Sequence, residues 1–136
     1  MSAQARQIVE GWLDACAQTT LDRLHDEHMD LISRNVSLLG VPGFEVIKFE
    51  DWSRQCKDEF DEDLVKRVRY DDAEIVAAGL SLIIFRTIET VEDDEGPLDR
   101  NGIEGTLRRE DDGKWRLTQE RILSEEEAEG YQLVVD

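Results

Sequence analysis

The feature that most constrains the fold is a change of hydrophobic period near Leu64. Before this residue, apolar side chains recur at intervals of three and four residues, as on an amphipathic helix. After it they alternate with polar side chains, as on a half-buried strand. The segments that follow the second pattern are residues 64–70, 74–78, 80–91, 103–109 and 114–123. Helices followed by closely spaced strands predict an α+β protein with an antiparallel sheet.

Two helices are predicted at the start of the chain. The first has a continuous apolar stripe, formed by Ala5, Ile8, Val9, Trp12, Leu13 and Cys16. Thr19 or Thr20 is expected to cap the second helix, because a hydroxyl can accept from the free backbone N–H groups of a first turn. His28 falls on the apolar side of this second helix.

A strand, a turn and a third helix are predicted next. Residues 32–39 alternate as a strand, and the Gly40-Val41-Pro42-Gly43 segment has the composition of a turn. Residues 44–49 are expected to return as a short strand or extended arm. Glu50 and Asp51 are expected to begin a helix. One face of that helix is apolar and consists of Trp52, Cys56 and Phe60.

Turn residues divide the second half of the chain. Residues 92–101 are predicted to form a polar loop, Asn101-Gly102 a tight turn, and Asp111-Asp112-Gly113 a hairpin. The pattern Ser124-x-x-Glu127 is a capping box, so a short acidic helix is expected in a C-terminal tail of residues 124–136. The tail ends in apolar side chains that we expect to be buried: Tyr131, Leu133, Val134 and Val135.

Length and charge limit the possible partners. The 136 residues, of which 40% are hydrophobic, suit one domain spanning residues 1–136. The net charge is -17, and a polyanion repels both phosphate backbones and anionic lipid surfaces. Nucleic acid and membrane are therefore not predicted as partners. With no apolar run of membrane-spanning length and only two cysteines, a cytoplasmic location is expected.

Three motifs give the chain a resemblance to a known superfamily. They are the amphipathic helix around Trp12, the turn Val41-Pro42-Gly43 followed by the helix start Phe49-Glu50-Asp51-Trp52, and the hairpin Gly113-Lys114-Trp115-Arg116-Leu117. Together with the order of elements, they make roughly residues 4–123 resemble the nuclear transport factor two-like superfamily. This resemblance implies a cystatin-like cone, in which N-terminal helices pack on a strongly curved antiparallel sheet.

The resemblance also implies a pocket in the mouth of the cone and a homodimer formed through the sheet. Its ketosteroid isomerase-like members use a carboxylate base just before the Pro-Gly turn, where this chain has Leu38, Leu39 and Gly40. Its dehydratase-like members use histidines on the sheet, and no predicted strand carries one. Whether the chain is an enzyme therefore stays open.

The residues expected to line the pocket are Trp12, His28, Arg86, Glu104 and Arg121. Trp12 is a candidate because the resemblance places the first helix beside the cone mouth. Arg86, Glu104 and Arg121 are charges within predicted strands. On the solvent face they would have no function. If they point into the cone, they should pair, as Arg86 with Glu104, and orient an anionic or polar ligand.

Metal and thiol chemistry are weakly indicated. His25 and His28 are three residues apart, a spacing at which two imidazoles can approach one metal ion. The sequence implies no third ligand, so we predict no metal and no cofactor. Cys16 and Cys56 lie on apolar helix faces and are interpreted as small buried hydrophobes.

Three functions are compatible with these patterns. We favour a small-molecule-binding protein with an open cone-shaped pocket. The first alternative is an enzyme of the cyclase, isomerase or dehydratase type, which predicts a carboxylate or His28 with a perturbed pKa inside the pocket. The second is a non-catalytic homodimeric interaction module, which predicts a cavity filled by side chains and an apolar or tail-covered outer sheet face.

Overall fold

The structure is a computed structural model and describes residues 2–133. Its helices and strands are, in chain order, α1 (Ser2–Leu21), α2 (His25–Met29), β1 (Ile32–Leu39), α3 (Phe49–Asp61), β2 (Arg67–Tyr70), β3 (Glu74–Ala78), β4 (Leu82–Asp93), β5 (Gly96–Arg109), β6 (Trp115–Ile122) and α4 (Glu125–Gly130). The first three helices pack on a curled sheet, so the predicted α+β class is confirmed.

The sheet is mixed rather than purely antiparallel. Its strand order is β1-β6-β5-β4-β2, and β3 also pairs with β4. β1 runs parallel to β6, while the other pairs are antiparallel. The prediction of an antiparallel sheet is therefore wrong for β1. The physical reason is that alternation of side chains shows which face is buried but carries no information on strand direction.

The core lies between α1 and the inner face of the sheet. Inner-face side chains of β4, β5 and β6 meet the apolar stripe of α1 there, and Val9, Phe85, Leu107 and Leu117 are fully buried. Phe85 lies across Gly105 on the neighbouring strand, where an added Cβ would come within 2.5 Å of the aromatic ring. This packing fills one end of the cone with side chains.

Three sequence predictions, of a helix cap, a loop and a turn, are wrong. α1 continues through Thr19 and Thr20, whose hydroxyls donate to helix carbonyls four residues back, at 2.8 Å each. Both residues thus lie inside α1, and neither occupies the N-cap position of the second helix. The predicted polar loop at residues 92–101 and the turn at Asn101-Gly102 lie mostly in β4 and β5, whose hairpin turns at residues 93–96. Their charges are tolerated because this hairpin extends beyond the core.

The turn before the extended arm is confirmed and has a steric reason. Gly40 has a φ of +90°, which disfavours side chains, and an added Cβ would lie 2.4 Å from the Ile122 carbonyl oxygen. The chain therefore passes tightly over the end of β6. Ile47 in the arm forms a single bridge with Leu38, and α3 begins at Phe49, one residue before the predicted start.

The C-terminal segment covers part of the outer sheet face. Ser124 and Glu127 form the predicted capping box at the start of α4. Ala128 and Leu133 contact β5 at Gly102, where a Cβ would meet both side chains at 3.3 Å. The predicted burial of Val134 and Val135 lies outside the described residues.

Candidate functional site

The cone encloses a cavity of about 450 Å³ between α1, α2, α3 and the inner face of the sheet. Exposed leucines Leu64 and Leu98 stand among its lining residues. Its apolar wall includes Trp12, Ile32, Trp52, Phe60, Val68, Val91 and Ile122. A volume of this size lies in the usual range for small-molecule sites, roughly 300–1,000 Å³.

Trp12 and His28, predicted from sequence, both line this cavity. The Trp12 indole N–H donates to the Leu31 carbonyl at 3.0 Å, which fixes its ring between α1 and β1. His28 Nδ1 lies 2.9 Å from the Thr19 hydroxyl. Because that hydroxyl donates its proton to Ala15, Nδ1 carries the ring proton and Nε2 is left as an acceptor. Burial, helped by nearby His25, lowers the pKa of His28 to about 4.

The strongest polar feature of the cavity is a set of carboxyl groups that the sequence analysis did not select. Glu89 on β4, Glu120 on β6 and Glu59 on α3 all line it. We call these three residues the acidic cluster. Glu120 is 8% exposed, and its carboxylate has no hydrogen-bond or ion-pair partner within residues 2–133. Its remaining surface faces the cavity.

Burial dominates the electrostatics of the acidic cluster. Desolvation, reinforced by the charge of Glu89, raises the pKa of Glu120 well above 4.5. Desolvation also raises the pKa of Glu89, against the effect of a 3.0 Å hydrogen bond from the Tyr70 hydroxyl. The pKa of Glu59 is raised by burial as well. Carboxyl groups in such surroundings can hold or exchange a proton near neutral pH.

The two cysteines lie in the cavity wall as thiols. Burial, with repulsion from Glu89 and Glu120, raises the pKa of Cys16, and burial with the charge of Glu59 raises the pKa of Cys56 to about 12. Both cysteines are therefore poor nucleophiles, consistent with their interpretation as buried hydrophobes. Because Glu89 and Glu120 both raise the pKa of Cys16, their carboxyl groups lie near the same part of the cavity.

The other three predicted site residues lie on the outer face of the sheet, away from the cavity. Arg86 donates to Glu104 at 2.9 Å, and Arg121 reaches Glu104 at 3.5 Å and Glu127 of α4 at 2.9 Å. Tyr131 stacks on the Arg86 guanidinium at 3.5 Å. We call this group the outer network. The predicted pairing of Arg86 with Glu104 is confirmed, but the prediction that these charges face the cone is wrong.

The alternation of side chains along a strand explains why Arg86 was assigned to the wrong face and why Glu89 and Glu120 were not selected. Arg86 lies between Phe85 and Thr87 on β4, so its side chain must point to the face opposite theirs. Glu89 has the parity of Phe85, and Glu120 pairs with Gly105, which itself pairs with Phe85. If Phe85 is assigned to the core, every second residue of β4 faces the same way, and this would have selected Glu89. Glu120 could be selected only with the β5–β6 register, which the sequence does not give.

A second cavity, of about 600 Å³, lies beside β1 and the start of α3. Its strongest charge, Arg116, already makes ion pairs to Asp30, Glu110 and Asp112 at 2.8–2.9 Å. Its remaining arginine, Arg34, stacks on Phe49. Both arginines of this groove are therefore already engaged within the protein.

The histidine spacing does not assemble a metal site in the part of the chain described. His25 Nε2 lies 2.9 Å from the Ser53 carbonyl oxygen, so it is engaged with α3 while His28 is engaged with Thr19. Within residues 2–133, no three His, Cys, Asp or Glu side chains are grouped to hold a metal ion.

In the same residue range, no helix has both the length and the hydropathy needed to cross a membrane.

Solved structures with this geometry have low sequence identity to the chain. A protein of unknown function from Mycobacterium tuberculosis matches with a TM-score of 0.72 and 14% identity, over 86% of this chain and 74% of that one. An NTF2-like protein with a cystatin-like fold from Novosphingobium aromaticivorans gives 0.68 and 14%, over 88% and 81%. A Catenulispora acidiphila protein in complex with S-DNPA gives 0.67 and 18%, over 88% and 94%.

No protein-family model and no curated protein matches the sequence. The structural matches cover most of the chain and agree with the element order and the curled sheet described above. The chain has the cystatin-like α+β fold of NTF2-like proteins, and the resemblance seen in its sequence is confirmed at the level of fold.

Proposed function

We propose that the chain binds a small, largely apolar molecule in the cone cavity, and that the molecule presents a hydrogen-bond donor to the acidic cluster. The observation that carries this proposal is Glu120. A carboxylate 8% exposed, without a partner in residues 2–133, costs free energy unless something else satisfies it. A ligand donor in the adjacent cavity supplies the missing interaction.

The shape of the site supports the same function. Apolar side chains make up most of the wall, and a few polar groups converge inside it, which is the usual composition of a small-molecule site. The Catenulispora acidiphila protein, which has this fold, was solved in complex with a small molecule, S-DNPA.

Intrinsic fluorescence provides the test, because Trp12 and Trp52 line the cavity. We expect some members of a panel of one- and two-ring compounds to change tryptophan emission saturably and to raise the melting temperature. Val91→Trp should fill the cavity and abolish binding. Val76→Trp on β3, which lies outside the cavity, should retain it. A panel without any binder would contradict the proposal.

Proton-transfer catalysis on the bound molecule is the second candidate function. It is favoured by the raised pKa values of Glu89 and Glu120 and by the hydrogen bond from Tyr70 to Glu89. Such groups suit a general acid or base. In D2O, the protein should accelerate α-proton exchange of a bicyclic ketone such as 1-tetralone, and Glu89→Gln or Glu120→Gln should slow it. Equal rates in all three proteins would contradict this role.

The interaction-module alternative is less well supported. It predicted a cavity filled by side chains, whereas the described residues leave about 450 Å³ open. It also predicted a tail-covered outer face, and α4 does lie there. The expected homodimer stays a prediction, to be checked by the molar mass in solution.

A further inference from the structure

The charge of the cavity wall is one-sided. Glu59, Glu89 and Glu120 line it, together with Asp99, while none of the lining residues within the described range is lysine or arginine. A ligand carrying a carboxylate or phosphate would therefore meet carboxyl groups and no lysine or arginine among the described residues of this cavity.

Arginines lie close in sequence to the glutamates of the cavity, but the alternation of side chains along the strands places them on the outer face. Arg121 directly follows Glu120 on β6 and points to the opposite face, where Glu104 and Glu127 engage it. Arg86 of β4 is engaged on the same outer face. A countercharge for the ionised form of Glu120 would therefore have to come from outside the described residues.

We propose that the cavity selects an organic cation, a molecule with an apolar ring body and a protonated amine, and that the ammonium group lies against Glu120. This inference rests on the proposed function and names its ligand class. An ammonium group donates up to three hydrogen bonds. It can therefore contact Glu120 and still engage a second member of the acidic cluster.

The wall also suits the apolar part of such a ligand. Trp12, Trp52 and Phe60 provide aromatic surfaces beside the carboxyl groups. Aromatic faces attract organic cations as well as apolar rings. A cavity of about 450 Å³ lies near the lower end of the usual ligand-pocket range, which favours a one- or two-ring amine over a larger molecule.

The empty cluster and the bound cluster should differ in protonation. Burial and mutual repulsion favour a proton on Glu120 when the cavity is empty. An ammonium ion reverses this preference, so binding should release a proton to solvent. Four other titratable groups of the cavity keep their neutral forms near pH 7 because burial opposes their charged forms: Tyr70, Cys16, Cys56 and His28. Apart from Glu89 and Glu120, the remaining two titratable groups among the described lining residues are carboxyl groups, Glu59, whose pKa is also raised by burial, and Asp99.

Three probes with one ring system isolate the head group: 1-naphthylmethylamine, 1-naphthalenemethanol and 1-naphthoate. Calorimetric titration at roughly 0.15 M salt limits the contribution of distant surface charge. We expect the amine to bind at least about tenfold more tightly than the alcohol, a difference of about 1.4 kcal/mol. The carboxylate should bind least. In buffers of different ionisation enthalpy, the amine alone should release a proton.

Matched variants assign the preference to the cavity. Glu120→Gln should remove the tenfold preference for the amine, and Glu89→Gln should reduce it. Glu10→Gln makes the same change of net charge on the exposed face of α1 and should leave the preference intact. Each variant is first checked for wild-type melting behaviour; if Glu120→Gln does not fold, Glu89→Gln carries the test.

The outcomes separate the two proposals. If the alcohol binds as tightly as the amine, or if Glu10→Gln lowers amine affinity as much as Glu120→Gln, the cation inference is overturned while the binding function stands. If neither these probes nor the wider compound panel binds, the proposed function itself fails.

Discussion

The two faces of the sheet carry similar charged residues in opposite situations. On the outer face, Glu104 has two arginine partners, Arg86 and Arg121. On the inner face, Glu120 has no cation among the described residues and borders an open cavity. Both carboxylates are largely buried, yet only the outer one is satisfied by the fold itself.

This difference separates structural charge from charge available for binding. A paired buried carboxylate is held by its partners and has little left to offer a ligand. An unpaired one lowers the stability of the empty protein and so favours whatever neutralises it. On this reasoning, the outer network holds α4 against the sheet, whereas the acidic cluster defines the site. The following variants test that division, in order of decreasing expected effect.

The largest difference between the two faces is expected at two glycines of β5, because the space beside each glycine differs. Gly105→Ala forces a methyl group into the Phe85 ring at the filled end of the cone, and should cost about 3 kcal/mol in unfolding free energy. Gly102→Ala meets Ala128 and Leu133 at 3.3 Å on the outer face and should cost about 1 kcal/mol, because α4 can shift. Urea unfolding measures both. Equal losses of unfolding free energy for the two variants would show that the two faces do not differ in packing at these positions.

Removing the outer carboxylate should destabilise the protein. Glu104→Gln leaves Arg86 without its closest partner at a site where the Arg86 and Glu104 side chains are only 16% and 18% exposed. The expected loss is about 2 kcal/mol of unfolding free energy, below the cost for a fully buried pair. Urea unfolding at neutral pH measures it. Wild-type stability would show that the outer network contributes no more than an exposed ion pair.

Removing the carboxylate of Glu120 on the inner face should stabilise the protein at alkaline pH. The pKa of Glu120 is raised in the folded state, so its stabilising contribution is complete below about 4.5 and is lost as pH rises through the folded value. Glu120→Gln avoids that loss and should gain about 1 kcal/mol at pH 8. The gain should shrink towards zero near pH 4.5. A loss of stability at pH 8 would show that the charge is already satisfied.

The smallest effect is expected for the ring that covers the outer network. Tyr131→Leu keeps an apolar side chain but removes the stacking on Arg86. We expect a loss of about 0.5 kcal/mol and no change in ligand affinity, because Tyr131 lies outside the cavity. Thermal unfolding and probe titration check the two parts. A changed affinity would mean that the two faces are coupled.

The sequence predicted the fold well because hydrophobic period reports directly on which side chains are buried. The stripe containing Trp12 and the alternation around Phe85 both correspond to the observed core. Strand direction was the main exception, since β1 lies parallel to β6 and alternation is the same in either direction. The hairpin at residues 93–96 was placed too late because Asn101-Gly102, a strong turn dipeptide, lies inside β5.

The site was predicted less well for a different reason. A charged residue inside a strand pattern suggests function only when its face is known, and one position separates the two faces. Arg121 and Glu120 are adjacent, yet the first pairs with α4 and the second faces the cavity. The contact between Arg86 and Tyr131 joins distant parts of the chain and leaves no local pattern.

Titration of the glutamate carboxyl groups tests the central difference most directly. Side-chain carbon-13 NMR on the ligand-free protein can follow each group, with Glu89→Gln, Glu120→Gln and Glu127→Gln used for assignment. We expect a pKa above 4.5 for Glu120, raised by burial, and below 4.5 for Glu127, lowered by its hydrogen bond from Arg121. If Glu120 titrates at or below 4.5, its charge is satisfied within the fold and the account is contradicted.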